Sequence, residues 1–202
     1  MSQPAPYQSI KAPVEGFVKV MNSKFHALAF PMHADSELSG LLETCRLRYP
    51  NATHYCYAWR LGPDGSLAHS SDDGEPANSA GAPIARQLVS AELYDVLVVV
   101  VRYYGGKKLG VGGLISAYGD AAKDVLDQAD MVEVKPILLL ELRDVSNRDY
   151  KIYEFANRYQ LTIIQTGRPF VLQTDAEQRE FLESVLKELP NFEWHFIEKL
   201  GQ

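Results

Sequence analysis

The stretch DVLVVVVRYYGGKKLGVGGLISAYGDAA, residues 95–122, decides the fold because it joins three textures without a break. Residues 96–101 are all aliphatic, the pattern of a strand covered on both faces. Positions 102–113 then hold five glycines and three basic residues. LISAYGDAAKDVLDQA follows with the spacing of a helix that ends near Ala129. A buried strand feeding a glycine-rich loop and then a helix is the layout of a phosphate-binding loop.

The strict nucleotide fingerprints fail in this loop. Gly105 to Gly110 has the Walker spacing, but Val111 and Gly112 stand where a lysine and a hydroxyl are needed. The dinucleotide pattern would require glycine at Ile115. A more general anion site survives. Arg102, Lys107 and Lys108 supply charge, and the backbone N–H groups of Gly105, Gly106, Gly110, Gly112 and Gly113 can approach one anion closely. A helix starting near Gly112 would add its positive dipole end. Tyr104 joins this set as a stacking ring, since only one of Tyr103 and Tyr104 can point inward on a strand. The competing reading is that the glycines only let strand and helix pack closely, with both lysines solvated.

Around this stretch the chain reads as two domains, residues 1–133 and 134–202. Residues 1–13 read as irregular. VEGFVKVM and FHALAFPM read as a hairpin around residues 22–24, and ADSELSGLLETCRLRYP as a helix with Asp35 at its N-cap. HYCYAWRL alternates like a strand, and Gly62–Pro63–Asp64–Gly65 turns the chain into SLAHS. Pro83 suits the first turn of a short helix through Leu88. VEVKP reads as a linker. Beyond it PILLLELRDV, SNRDYKIYEFANRYQ, LTIIQT, PFVLQT, TDAEQREFLESVLKEL and NFEWHFIEK alternate as βαββαβ, the ferredoxin-like order. Its helices would be opened by Ser146 or Asn147 and by Thr174 or Asp175.

Composition narrows the function classes. A net charge of −6 over 202 residues excludes a wholly basic nucleic-acid binder, so any polyanion site is a local patch. Two cysteines without short spacing argue against a disulfide scaffold or thiolate zinc site, and no metal or cofactor is expected. No leader-like or membrane-length apolar run is present, so a soluble cytoplasmic protein without a membrane partner is expected.

Two further stretches carry chemistry-bearing side chains. SDDGEP sets Asp72, Asp73 and Glu75 together, an arrangement suited to a cation, to acid–base work, or to a rigid Asx-type turn. His54 and Cys56 share one face of their strand, with Tyr55, Tyr57 and Trp59 on the other. His54, Asp72, Asp73 and Glu75 are therefore the weak catalytic candidates, though no GxSxG or HExxH motif supports them.

SKFHALAF, ATHYCYAWRLG, SSDDGEPANSAGAPI and VLVVVVRYYGGKKLGVGGLISAYGDAA, in this order, resemble the IMPACT family, called YigZ-like in bacteria. The resemblance covers residues 14–130. Asn78–Ser79 departs from the family's Gly-Thr, and Lys107–Lys108 makes this loop more basic than many relatives. The resemblance implies an α+β, two-domain fold: an N-terminal ribosomal protein S5 domain 2-like domain, as in the fourth domain of elongation factor G, and a ferredoxin-like C-terminal domain like that factor's fifth. It implies a non-catalytic, translation-linked regulator that binds RNA or the ribosome, without DNA specificity. Eukaryotic members of the family regulate translation initiation through a protein partner, so a protein–protein regulator using DDGEP as an acidic contact is the alternative. A phosphoester hydrolase or other small-molecule enzyme ranks third.

Overall fold

The uninterrupted aliphatic run becomes the central strand of a five-stranded sheet. In the computed structural model, which describes residues 6–62 and 65–200, the chain divides into two units, Tyr7–Glu133 and a second built on residues from Val134 onward. The first contains β1 (Tyr7–Ile10), β2 (Val14–Val20), β3 (Ser23–Pro31), α1 (Leu38–Arg48), β4 (His54–Leu61), β5 (Leu67–Ser71), α2 (Gly81–Ser90), β6 (Val96–Tyr103), α3 (Gly110–Asp127) and β7 (Met131–Val134). The main sheet has the order β2-β3-β6-β4-β5, with every neighbouring pair antiparallel.

Alternation along β6 explains why its sequence shows no polar face. Val96, Val98 and Val100 pack under α2 and α3, together with Phe25, Ala27 and Ala58. Leu97, Val99 and Val101 face the opposite way, against Phe30, Cys45 and the rest of the α1 side. Both faces are dry, so both sets of alternating positions must be apolar. Alanines on β3, β4 and α3 bring the α3 backbone close to the sheet. Gly16 takes this furthest, because a Cβ there would lie 2.5 Å from Asp124 Oδ2.

The irregular reading of the first residues is corrected from Tyr7 onward, and so is the reading of VEVKP as a plain linker. β1 and β7 pair as a separate two-stranded sheet. Four-residue strands are too short to show a period, and a side-chain anchor holds them instead. The Tyr7 hydroxyl donates to the carboxylate of buried Asp95, which also accepts the Gly62 N–H at 2.9 Å. Ile10 enters the main core. Pro63 and Asp64 of the expected turn lie outside the described residues.

The expected caps do not form. Asp35 opens a short 3-10 turn, Asp35–Glu37, and makes no side-chain cap bond, and α1 starts only at Leu38. Helix α4 (Tyr150–Arg158) is not capped by Ser146 or Asn147. Asp144 upstream accepts the N–H groups of Ser146 and Arg148 at 3.1 and 2.9 Å.

The second unit continues with β8 (Pro136–Asp144), α4, β9 (Thr162–Gln165), β10 (Phe170–Asp175), α5 (Arg179–Lys187) and β11 (Phe192–Leu200). A 3-10 turn at Ala176–Gln178 precedes α5, and neither Thr174 nor Asp175 caps it; the Thr174 hydroxyl is hydrogen-bonded to Gln178 instead. Strand order β11-β8-β10-β9, all antiparallel, is that of a ferredoxin-like sheet. Leu138, Leu140, Leu142 and Leu172 meet Ile152, Phe155, Leu182 and Leu186 from the two helices. The whole chain is therefore a two-domain α+β protein. Among the described residues no helix is long and apolar enough to cross a membrane.

Candidate functional site

Strand register places three side chains in one row near the end of the main sheet. Phe25 of β3 is opposite Arg102 of β6, and Arg102 is opposite His54 of β4. All three therefore point to the α3 face. An arginine inside a strand dry on both faces needs an anion, and the DDGEP loop delivers one. Arg102 Nη1 lies 2.5 Å from Glu75 Oε1, with the side chains only 5% and 4% exposed. The Tyr118 hydroxyl of α3 donates to the same oxygen at 2.7 Å, and its ring meets Phe25 edge-on. Burial, then neighbouring Cys56 and Glu75, push the Tyr118 phenol far above its ordinary value and keep it a donor. His54 completes the group, with Nε2 3.8 Å from Glu75 Oε1.

The loop is built to hold Glu75 there. Asp72 accepts N–H groups from Asn78, Ala80 and Gly81 at 2.8, 2.9 and 2.8 Å. Burial raises this carboxyl, but the three N–H donors together outweigh it and hold its pKa below the ordinary value. Asp73 Oδ2 accepts the Tyr55 N–H at 2.6 Å. The Asp73 carbonyl lies 2.7 Å from His54 Nδ1; a carbonyl only accepts, so that nitrogen carries the proton. Asn78 sits at φ 60°, a left-handed conformation that asparagine tolerates better than most residues.

The four catalytic candidates thus come together, but the carboxylates are engaged within the protein: Asp72 by N–H groups of its own loop, Asp73 by the Tyr55 N–H of β4, and Glu75 by Arg102 and Tyr118. Asp72 and Glu75 face inward, which also removes their charges from an acidic contact surface. Cys56 donates to the Asp72 carbonyl at 3.0 Å, and burial holds its thiol far above the ordinary value, so it is a packing group rather than a nucleophile. Among the described residues no group of three His, Cys, Asp or Glu side chains could hold a cation.

The glycine loop divides into two parts. Gly105 is packed inward. A Cβ there would lie 2.1 Å from the Asn22 carbonyl carbon, and its N–H donates to Ser23 Oγ at 3.2 Å. Arg102 is also turned inward, against Glu75, so its charge is spent inside the protein. Tyr103 packs on the α1 side and donates to the Pro50 carbonyl, whereas Tyr104 is 46% exposed. The outer part stays open. Lys107 and Lys108 are exposed, and Gly106 and Gly110 turn the chain with φ of 80° and 72°. Helix α3 then begins with no side-chain cap and no acidic residue in its first turn. Nothing lies within 4 Å of a Cβ placed on Gly112, and Gly113 only approaches Leu109, at 3.1 Å.

Tyr118 and Ser23 belong to the network, yet neither stands out in the sequence. The available signal was Arg102 itself, a lone cation in an aliphatic strand, which demands polar partners somewhere in the chain.

Residues 21–126, which hold this network and the glycine loop, match the Impact N-terminal domain. The chain belongs to the IMPACT family. It is 38% identical over 128 residues to IMPACT family member YigZ of Escherichia coli, covering 62% of this chain and 63% of that protein. It is 46% identical over 121 residues to an IMPACT family member of Thermus thermophilus, covering 57% and 64%. The aligned region spans less than two thirds of these relatives' length. A crystal structure described as a hypothetical protein aligns over 98% of both chains, with a TM-score of 0.72 and 27% identity.

Proposed function

We propose that this protein is a translation-linked regulator that binds RNA or the ribosome through the outer part of the glycine loop. The observation that carries the reading is the junction of exposed Lys107 and Lys108 with an uncapped helix start that has no acidic residue in its first turn. Unpaired N–H groups at such a start, with two ammonium groups beside them, favour a phosphate oxygen. Exposed Tyr104 adds a ring on which a base can stack. Arg102, Glu75, Tyr118 and His54 serve as the scaffold that fixes the loop's root. Membership in a family whose eukaryotic members act on translation supports the biological setting.

Co-sedimentation with ribosomes and titration of labelled RNA, at low and high salt, test this reading. Binding is expected to weaken steeply as salt rises. Lys107→Ala with Lys108→Ala is expected to flatten the logarithmic slope by about 1.4, at about 0.7 per single-strand phosphate contact. Salt-independent binding, or no binding to RNA or ribosomes, would overturn it.

A further inference from the structure

The β2–β3 hairpin carries an arrangement that its own stability does not explain. Lys19 and Lys24 are directly opposite each other in register, and both are exposed. Like charges facing across two strands are unfavourable. Among the described residues neither is ion-paired, nor are Lys107 and Lys108. The acid nearest in sequence, Glu15, is engaged by Arg48 at 2.7 Å and by the Tyr49 hydroxyl at 3.1 Å. The hairpin tip is also where the glycine loop starts, since Gly105 rests on Asn22 and Ser23. Lys19 and Lys24 therefore flank the hairpin tip on which Gly105 rests, and Lys107 and Lys108 follow Gly105 in the chain, whose net charge is −6.

Aromatic rings lie beside them. Phe17, on the same strand and face as Lys19, is 49% exposed. Its ring centroid is 4.8 Å from that of His26, which is 4.5 Å from that of Tyr49 at an interplanar angle of 32°. Burial, and then Lys24, lower the His26 pKa, so this ring is an uncharged plate within the run. Tyr104, immediately before Gly105 in the chain, is a second exposed ring.

We propose that the interface extends from the glycine loop onto the β2–β3 hairpin and takes single-stranded RNA, with phosphates on Lys19, Lys24, Lys107 and Lys108 and bases on Phe17 and Tyr104. This rests on the glycine-loop reading and adds the class of nucleic acid. Rings alternating with free cations suit a strand whose bases are unstacked, whereas a duplex offers its phosphates but no free base faces. The folding cost of the Lys19–Lys24 pair is relieved when a phosphate lies between the two ammonium groups.

The test is fluorescence anisotropy of the full chain with a labelled twelve-nucleotide oligouridine, and with the duplex it forms with oligoadenosine. Tighter binding of the single strand is expected. Lys19→Ala with Lys24→Ala is expected to weaken it, to flatten the salt slope by about 1.4, and to leave thermal stability unchanged or higher. Phe17→Ala is expected to weaken single-strand binding about tenfold without changing the slope, and Phe17→Tyr to restore it. Normal binding by both hairpin variants, with loss only in the Lys107→Ala, Lys108→Ala variant, would overturn the hairpin proposal and leave the glycine-loop reading standing. So would equal or tighter binding of the duplex. No binding of either RNA by the unaltered chain, with ribosomes still bound through a nuclease-resistant contact, would replace RNA with protein as the partner and overturn the proposal.

Discussion

Replacing Glu75 by alanine is expected to destabilise the N-terminal unit more than any other single change in the DDGEP loop. The carboxylate and the Arg102 guanidinium are 4% and 5% exposed, so water cannot take the place of the lost partner. Removing one member of a buried ion pair costs about 3–5 kcal/mol, because the remaining charge stays desolvated. Arg102 has little in reserve: among the described residues its Nε has no hydrogen-bond partner, and Nη2 reaches Ser23 Oγ only at 3.4 Å. Tyr118 loses its acceptor as well, a loss of about 1–3 kcal/mol that overlaps with the first. A total near 4 kcal/mol is a large part of the roughly 5–15 kcal/mol that holds an ordinary domain together. With a urea slope of about 2 kcal/mol per molar, the unfolding midpoint falls by about 2 M. The chain has two tryptophans, Trp59 in the first unit and Trp194 in the second, so Trp59 fluorescence in a Trp194→Phe background reports the right transition. Adding Arg102→Met to Glu75→Met removes the orphaned charge and is expected to recover at least about 2 kcal/mol relative to the sum of the single changes. Additive single changes, or a cost for Glu75→Ala below about 1 kcal/mol, would refute the claim that this pair fastens the loop.

Gly105→Ala is expected to lose about 2–3 kcal/mol in the same urea assay, because its Cβ meets the Asn22 backbone. Gly112→Ala, helical and with open space around it, is expected to gain up to about 1 kcal/mol while weakening RNA binding by crowding the helix start. Asp72 has a folded pKa below its ordinary 3.8, so its contribution is present above that value and is lost as the pH falls through the folded pKa. Stability of the first unit measured from pH 6 downward is therefore expected to drop near and below pH 4, and Asp72→Asn to flatten that drop. Cys45 and Cys56 are both buried, with the Cys45 thiol raised to about 11 by burial, so a thiol reagent is expected to label neither until urea unfolds the chain.

The sequence exposed those parts of the fold that repeat or alternate. Val96–Val101 announced a strand dry on both sides, and the order of strands and helices after residue 135 was enough for a ferredoxin-like sheet. Less was legible where one long-range contact does the work. β1 has no pattern of its own, and it forms because Tyr7 reaches Asp95, 88 positions away. Capping failed for a related reason: Asp35, Ser146 and Thr174 have the right chemistry, but 3-10 turns and the Asp144 turn carry the chain into its helices another way. At the candidate site, Lys107, Lys108 and Tyr104 stand on the surface as their types suggest. Arg102 does not, because its orientation was fixed by strand alternation and by an acid 27 residues upstream. The opposed lysines of the hairpin needed the β2–β3 register before they could be seen as a pair.

The small β1–β7 sheet bears on where this protein can be divided. The family match spans residues 21–126, and both of these strands, together with all of β2, fall outside it. A fragment trimmed to that match would leave β3 as a bare sheet edge and Asp95 without the Tyr7 hydroxyl. The stretch that matches the family is thus smaller than the compact unit Tyr7–Glu133. An N-terminal fragment is expected to need both β1 and β7 to keep its fold, because these two strands pair with each other.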